Sequence, residues 1–128
     1  MDPVLESGLM VFSEVLQEVS SRVEGSIGYV VMGMDGIPIE RLIADRRHNF
    51  DMIATESTTL LRSTRQASEE LGAGPLRELS FATDQFTVLA VAITDEYILL
   101  GALSNESNYG KARFYMKRAA LRLEKEFV

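Results

Sequence analysis

The 128-residue chain is predicted to fold as an α/β (α+β) three-layer sandwich, a five-stranded antiparallel sheet with helices on both faces, in the order α-β-β-α-β-β-β-α. Three observations predict this. Three segments repeat apolar residues at helical spacing. Five short segments read as strands, several joined by turns too short for anything but a hairpin. Some of those strands are apolar on both faces, so helices must cover both sides of the sheet.

The first helix spans residues 4–23, where Leu5, Leu9, Phe12, Leu16, Val19 and Val23 share one stripe, widened by Val4, Val11 and Val15. Asp2 is placed to cap it, Pro3 suits the first helical position, and Gly25 stops it. Strands follow at Ile27–Met32 and Ile37–Ile43 around Gly33-Met34-Asp35-Gly36, whose glycines and aspartate are expected to supply the positive φ angles of a hairpin. The first of these strands is apolar on both faces and belongs in the middle. Pro38 cannot donate to a ladder, which sends the second to an edge.

After the polar loop Asp45–Asn49, a second helix is expected over Phe50–Leu71, with Ile53, Leu60, Leu61, Ala67 and Leu71 as its apolar stripe and Gly72-Ala73-Gly74-Pro75 ending it. Leu76–Thr83 alternates, with Leu79 and Phe81 on one face and Glu78 and Ser80 on the other. Phe86–Ile93 and Tyr97–Leu103 are apolar on both faces and are placed centrally. A final helix begins near Asn108 and runs to the C-terminus, with Ala112, Met116, Ala119, Ala120, Leu123 and Phe127 facing the core.

The length suits one domain over residues 1–128, with roughly two thirds of the unfolded surface buried. The chain has no cysteine, which excludes disulfides, thiolate metal sites and cysteine nucleophiles. No apolar run approaches the roughly 20 residues that span a bilayer, and Met1-Asp2-Pro3 lacks the basic start of a signal peptide, so a cytoplasmic protein without membrane insertion is expected. Residues 1–110 hold 17 Asp/Glu against 7 Lys/Arg, while residues 111–128 hold 2 against 6. That acidic body is the wrong sign for nucleic acid.

The element order, the Gly33-Met34-Asp35-Gly36-Ile37-Pro38 hairpin, and the stretch from Phe86 through Asp95-Glu96-Tyr97-Ile98-Leu99-Leu100 to the last helix resemble the roadblock/dynein light chain family over nearly the whole chain. The resemblance implies a homodimer formed by the second helices and third strands. It also implies a Ras-like small GTPase as partner, as for bacterial members that activate GTP hydrolysis. Eukaryotic members imply the alternative, a dimerising adaptor in a larger assembly.

No chemistry is evident in the residues, and neither cofactor nor metal is expected. His48 is the sole histidine and has no companion for nucleophilic or metal chemistry, so it reads as a solvated loop residue. Asp35, Asp45, Asp84 and Asp95 sit in turns, where their side chains bond local backbone. The protein is therefore read as a non-enzymatic regulator.

Its partner surface is assigned to Arg46 and Arg47 and to Glu56, Thr59, Arg62, Ser63 and Gln66 on the outer second helix. Arg46 or Arg47 reads either as an arginine acting in trans on a phosphoryl group or as an ordinary loop charge. The dimer interface is assigned to Ser57, Thr64, Ser68, Leu79 and Phe81; the small hydroxyl residues permit close helix approach or simply face water. On the last helix, Phe114 and Leu121 beside Arg118, Arg122 and Lys125 form a second partner strip, or else the two apolar residues pack against the first helix.

Overall fold

The computed structural model describes the backbone of residues 3–127 and the side chains of residues 10–127. Helix α1 covers Pro3–Arg22, strands β1 and β2 cover Ser26–Gly33 and Pro38–Ile43, and α2 covers Phe50–Glu70. Strands β3, β4 and β5 cover Glu78–Ala82, Phe86–Ala92 and Tyr97–Ser104. Helix α3 covers Tyr109–Glu124, and a short 3-10 turn at Lys125–Phe127 follows it. The order α-β-β-α-β-β-β-α and the fold class are as the sequence predicts. Asp2, Val4, Leu5 and Leu9, assigned to a cap and to the first helix stripe, lie outside the residues whose side chains are described.

The five strands form one antiparallel sheet in the order β2-β1-β5-β4-β3. Strands with apolar side chains on both faces take the middle, where neighbours satisfy their backbone and helices cover their sides. Pro38 begins the β2 edge, as its missing donor requires. Only Gly36 in the β1–β2 turn has a positive φ, +88°, against the expectation that both glycines and Asp35 would share that role. Asp35 closes the turn differently: its Oδ1 accepts from Ile37 N at 3.0 Å.

The two sheet faces build separate cores. On one, Leu16, Val19 and Val23 of α1 and Met116 and Leu123 of α3 meet Tyr29, Val31, Leu89 and Leu99. Buried among them, the Tyr29 phenol is pushed up to about 12 and keeps a partner in Ser26 Oγ at 2.5 Å. On the other face, Phe50, Ala54 and Leu61 of α2 meet Ile27, Val30, Val88, Ile98 and Leu100. A Cβ at Gly28 would fall 2.7 Å from the Phe50 ring, so the start of α2 can lie on β1 only because that residue has no side chain.

Two helix expectations are corrected. The buried stripe of α2 is Phe50, Ala54, Ser57, Thr58 and Leu61. Of the predicted stripe, only Leu61 is buried; Ile53 is half-buried, and Leu60, Ala67 and Leu71 are exposed. One helix covering a five-stranded face leaves the β3 side open, so side chains turned that way find nothing to pack on. Helix α3 also stops at Glu124 instead of continuing, and the 3-10 turn swings Phe127 onto Tyr97 and Phe12, with ring centroids 4.1 and 5.6 Å apart.

Candidate protein interface on α2 and β3

Asn49 fixes where α2 begins. Its side-chain oxygen accepts from Met52 N at 3.1 Å, satisfying one of the free amides of the first turn. From that start, the inward stripe of Phe50, Ala54 and Leu61 sets the helix rotation. Ile53 and Leu60, seven residues apart, consequently lie on the flank nearest β3. Together with Glu56, Ser57 and Thr59 of α2 and Phe81 and Phe86 of the sheet, they line an open groove of about 370 Å³.

Strand β3 closes the sheet on that side and, among the described residues, pairs only with β4. Its outer backbone groups have no partner among those residues, the condition in which an edge is ordinarily covered or paired. Leu79 and Phe81 are half-buried against the α2-side core. The strand is held from the other face by a Glu78–Arg113 pair, with Nη2 2.6 Å and Nε 2.9 Å from the carboxylate oxygens, and Lys117 at 3.7 Å. The Arg113 donors and charge hold the Glu78 carboxyl below its ordinary range. The apolar groove thus lies beside an open strand edge.

Three hydroxyls of α2 donate to nearby backbone carbonyls. Ser57 is buried and donates to Ile53 O at 2.6 Å; Thr64 donates to Leu60 O at 2.8 Å; Ser68 donates to Gly74 O at 2.6 Å and ties down the α2–β3 loop. As interface residues these three offer small size, not hydrogen bonds. Neither reading from the sequence, close approach or plain solvation, anticipated that the hydroxyls would be occupied locally.

The proposed partner residues divide by direction. Ser63 and Gln66 lie on the exposed outer face, with Gln66 donating to Glu70 at 3.2 Å. Glu56 and Thr59 border the groove. Arg62 points the other way and donates to the carbonyls of Met34, at 3.3 Å, and Asp35 in the β1–β2 turn. It clamps α2 to the first hairpin, a role that spacing along the helix gave no sign of.

Arg46 and Arg47 are both exposed, yet differently engaged. Arg47 Nε and Nη2 reach the Asp45 carboxylate at 3.0 and 2.7 Å, while Arg46 has no ion-pair partner among the described residues. The Arg47 donors pull the Asp45 carboxyl down to about 2. His48 is half-buried, its ring edge-on to Phe86 at 6.3 Å, where a solvated loop residue was expected. That contact places the loop at the end of the groove.

On α3, Phe114 and Leu121 are 59% and 68% exposed, so neither packs against α1; Tyr115 does so in their place. Arg122 pairs with Glu18 at 3.3 Å and Glu14 at 3.9 Å, whereas Arg118 and Lys125 are exposed without ion pairs among the described residues.

Sequence reasoning missed Ile53, Leu60 and Phe86 as surface residues and Arg62 as a clamp. One signal was present: Phe50, Ala54 and Leu61, spaced four and seven residues apart, mark a stripe turned away from Ile53 and Leu60. Among the described residues, no three His, Asp or Glu side chains converge as a metal site would need. No described helix is long and apolar enough to cross a membrane.

These elements define a helix-covered antiparallel sheet with an apolar groove beside an open edge. The chain is similar to MglC from Myxococcus xanthus, with 28% identity, 91% of this chain and 99% of that one covered, and a TM-score of 0.67. It is similar in fold to the gliding protein MglB from Thermus thermophilus, at 17% identity, 93% and 90% coverage and a TM-score of 0.82. A Roadblock/LC7 domain from Streptomyces avermitilis gives 16% identity, 89% and 95% coverage and a TM-score of 0.78. No family model and no curated protein sequence matches the chain. The chain thus has the fold of the solved Roadblock/LC7 domain and of MglB and MglC.

Proposed function

We propose that this protein is a homodimeric, non-enzymatic regulator of a Ras-like small GTPase, in the regulatory or adaptor role of its structural relatives. The observation that carries the self-association is the apolar groove of Ile53, Leu60, Phe81 and Phe86 beside the open β3 edge. Two copies related by a two-fold axis would pair β3 with β3 and lay α2 against α2, extending the sheet and removing both edges. The dimer interface is then Leu79 and Phe81 with Ser57, Thr64 and Ser68 as close-approach positions.

The GTPase would meet the outer face of α2 at Ser63 and Gln66, with Glu56 and Thr59 at the rim of the dimer groove and the Arg46-Arg47 loop beside them. Arg47 is held by Asp45, which leaves Arg46 as the cation of the loop without an ion pair among the described residues. The mechanism is preferential binding of the GTP-loaded state, which shifts the GTPase population toward a hydrolysis-competent arrangement.

Single-turnover GTP hydrolysis by a Ras-like GTPase from the same organism, with this protein in excess, tests the reading. A faster rate is expected. Measurable binding with an unchanged rate would replace it with the dimerising adaptor.

A further inference from the structure

The outward face of α3 carries a pattern that the proposed dimer and GTPase surfaces do not use. Lys111, Phe114, Arg118, Leu121 and Lys125 follow one another at spacings of three, four, three and four, the repeat that keeps side chains on one seam between packed helices. All five are exposed. The cations of this segment fall into two groups. Arg113 and Lys117 reach Glu78, and Arg122 reaches Glu14 and Glu18, whereas Lys111, Arg118 and Lys125 have no ion pair among the described residues.

The seam stands as a ridge between two depressions. Leu121 forms the lip of a cleft of about 400 Å³ with Ala120, Val91 and Ile93 along it. Arg118 borders a smaller one of about 100 Å³ between α1 and α3, near Val15 and Tyr115. A ridge flanked by grooves is the relief that a second helix packs against.

We infer that this ridge docks an acidic amphipathic helix of a partner protein. Its apolar residues rest on Phe114 and Leu121, and its carboxylates meet Lys111, Arg118 and Lys125. Charge selects the occupant. These three cations, unpaired among the described residues, stand on a chain whose formal net charge is −6, so an acidic helix is drawn to the ridge and repelled by the acidic body around it. Successive cations are roughly 10 Å apart along the axis, matching a carboxylate on every second turn of the partner. A membrane offers negative charge too, but two apolar side chains give it little to bury. The ridge lies across the sheet from α2, so this inference stands independently of the dimer and the GTPase.

The test is fluorescence anisotropy with the full chain and a designed helical peptide of about three heptads carrying Leu and Glu at the complementary spacing, with a Glu-to-Lys peptide as control. The acidic peptide is expected to bind and the basic one not to. Arg118→Glu, and separately Leu121→Ser, should weaken binding by about tenfold or more, while Arg41→Glu, the same charge change off the ridge, should leave it within about twofold. Circular dichroism checks that these exposed-site variants fold. No binding, unchanged binding in the Leu121 variant, or equal loss from Arg41→Glu overturns the inference. Sedimentation with phosphatidylserine vesicles in place of peptide binding overturns it also and assigns the ridge to a membrane surface.

Discussion

Leu60→Ala probes the proposed two-fold interface most directly. Leu60 is 46% exposed in the protomer, so about half of its side chain remains for a partner to cover. Removing three carbons from a fully buried leucine forfeits roughly 2.4 kcal/mol at about 0.8 kcal/mol per methylene. The share realised only on association is then roughly 1 kcal/mol. A two-fold dimer contains the residue twice, so the expected weakening is about 2 kcal/mol, or roughly 30-fold in the dissociation constant. Sedimentation equilibrium over a dilution series reads that change, while the stability of the isolated protomer falls by only about 1 kcal/mol. Leu60→Asp would go further, because association would bury an unpaired carboxylate in an apolar groove. A shift below about threefold for Leu60→Ala, together with a Leu60→Asp protein that still dimerises, would refute the assignment of this groove.

Two further expectations concern residues whose partners the structure supplies. Arg62→Ala should lower stability by about 1 kcal/mol with no partner present, because it frees α2 from the Met34 and Asp35 carbonyls; the melting midpoint should drop by about 4 °C. An unchanged midpoint would show that the clamp contributes nothing, and any binding loss in an Arg62 variant must be measured against this effect. Asp45 has a folded-state pKa near 2 against an ordinary value of 3.8, so its pairing with Arg47 stabilises the loop fully above about pH 4 and is lost as pH falls toward 2. An NMR titration of the Asp45 carboxyl should give a midpoint near 2 that rises part of the way toward the ordinary range in Arg47→Ala, which removes the guanidinium donors but keeps the backbone N–H at 3.0 Å. A midpoint that stays near 2 in that variant would exclude the Arg47 side chain as the cause.

The five strands, three helices, antiparallel pairing and the β2 edge were legible along the chain. Those properties are written in local periodicity, in turn residues and in Pro38, which act within a few residues of chain. Strands apolar on both faces even required that helices lie on both sides. Which helices share a face was decided only by the tertiary structure, since α1 and α3 stack on one side while α2 alone covers the other. That unequal covering turned Ile53 and Leu60 from predicted core into the wall of a groove, because hydrophobicity records what can be buried and not whether a neighbour arrives. Contacts across 27 and 35 residues, Arg62 to Asp35 and Arg113 to Glu78, were likewise invisible along the chain. A charged side chain finds its partner by position in space, and position in space belongs to the whole fold.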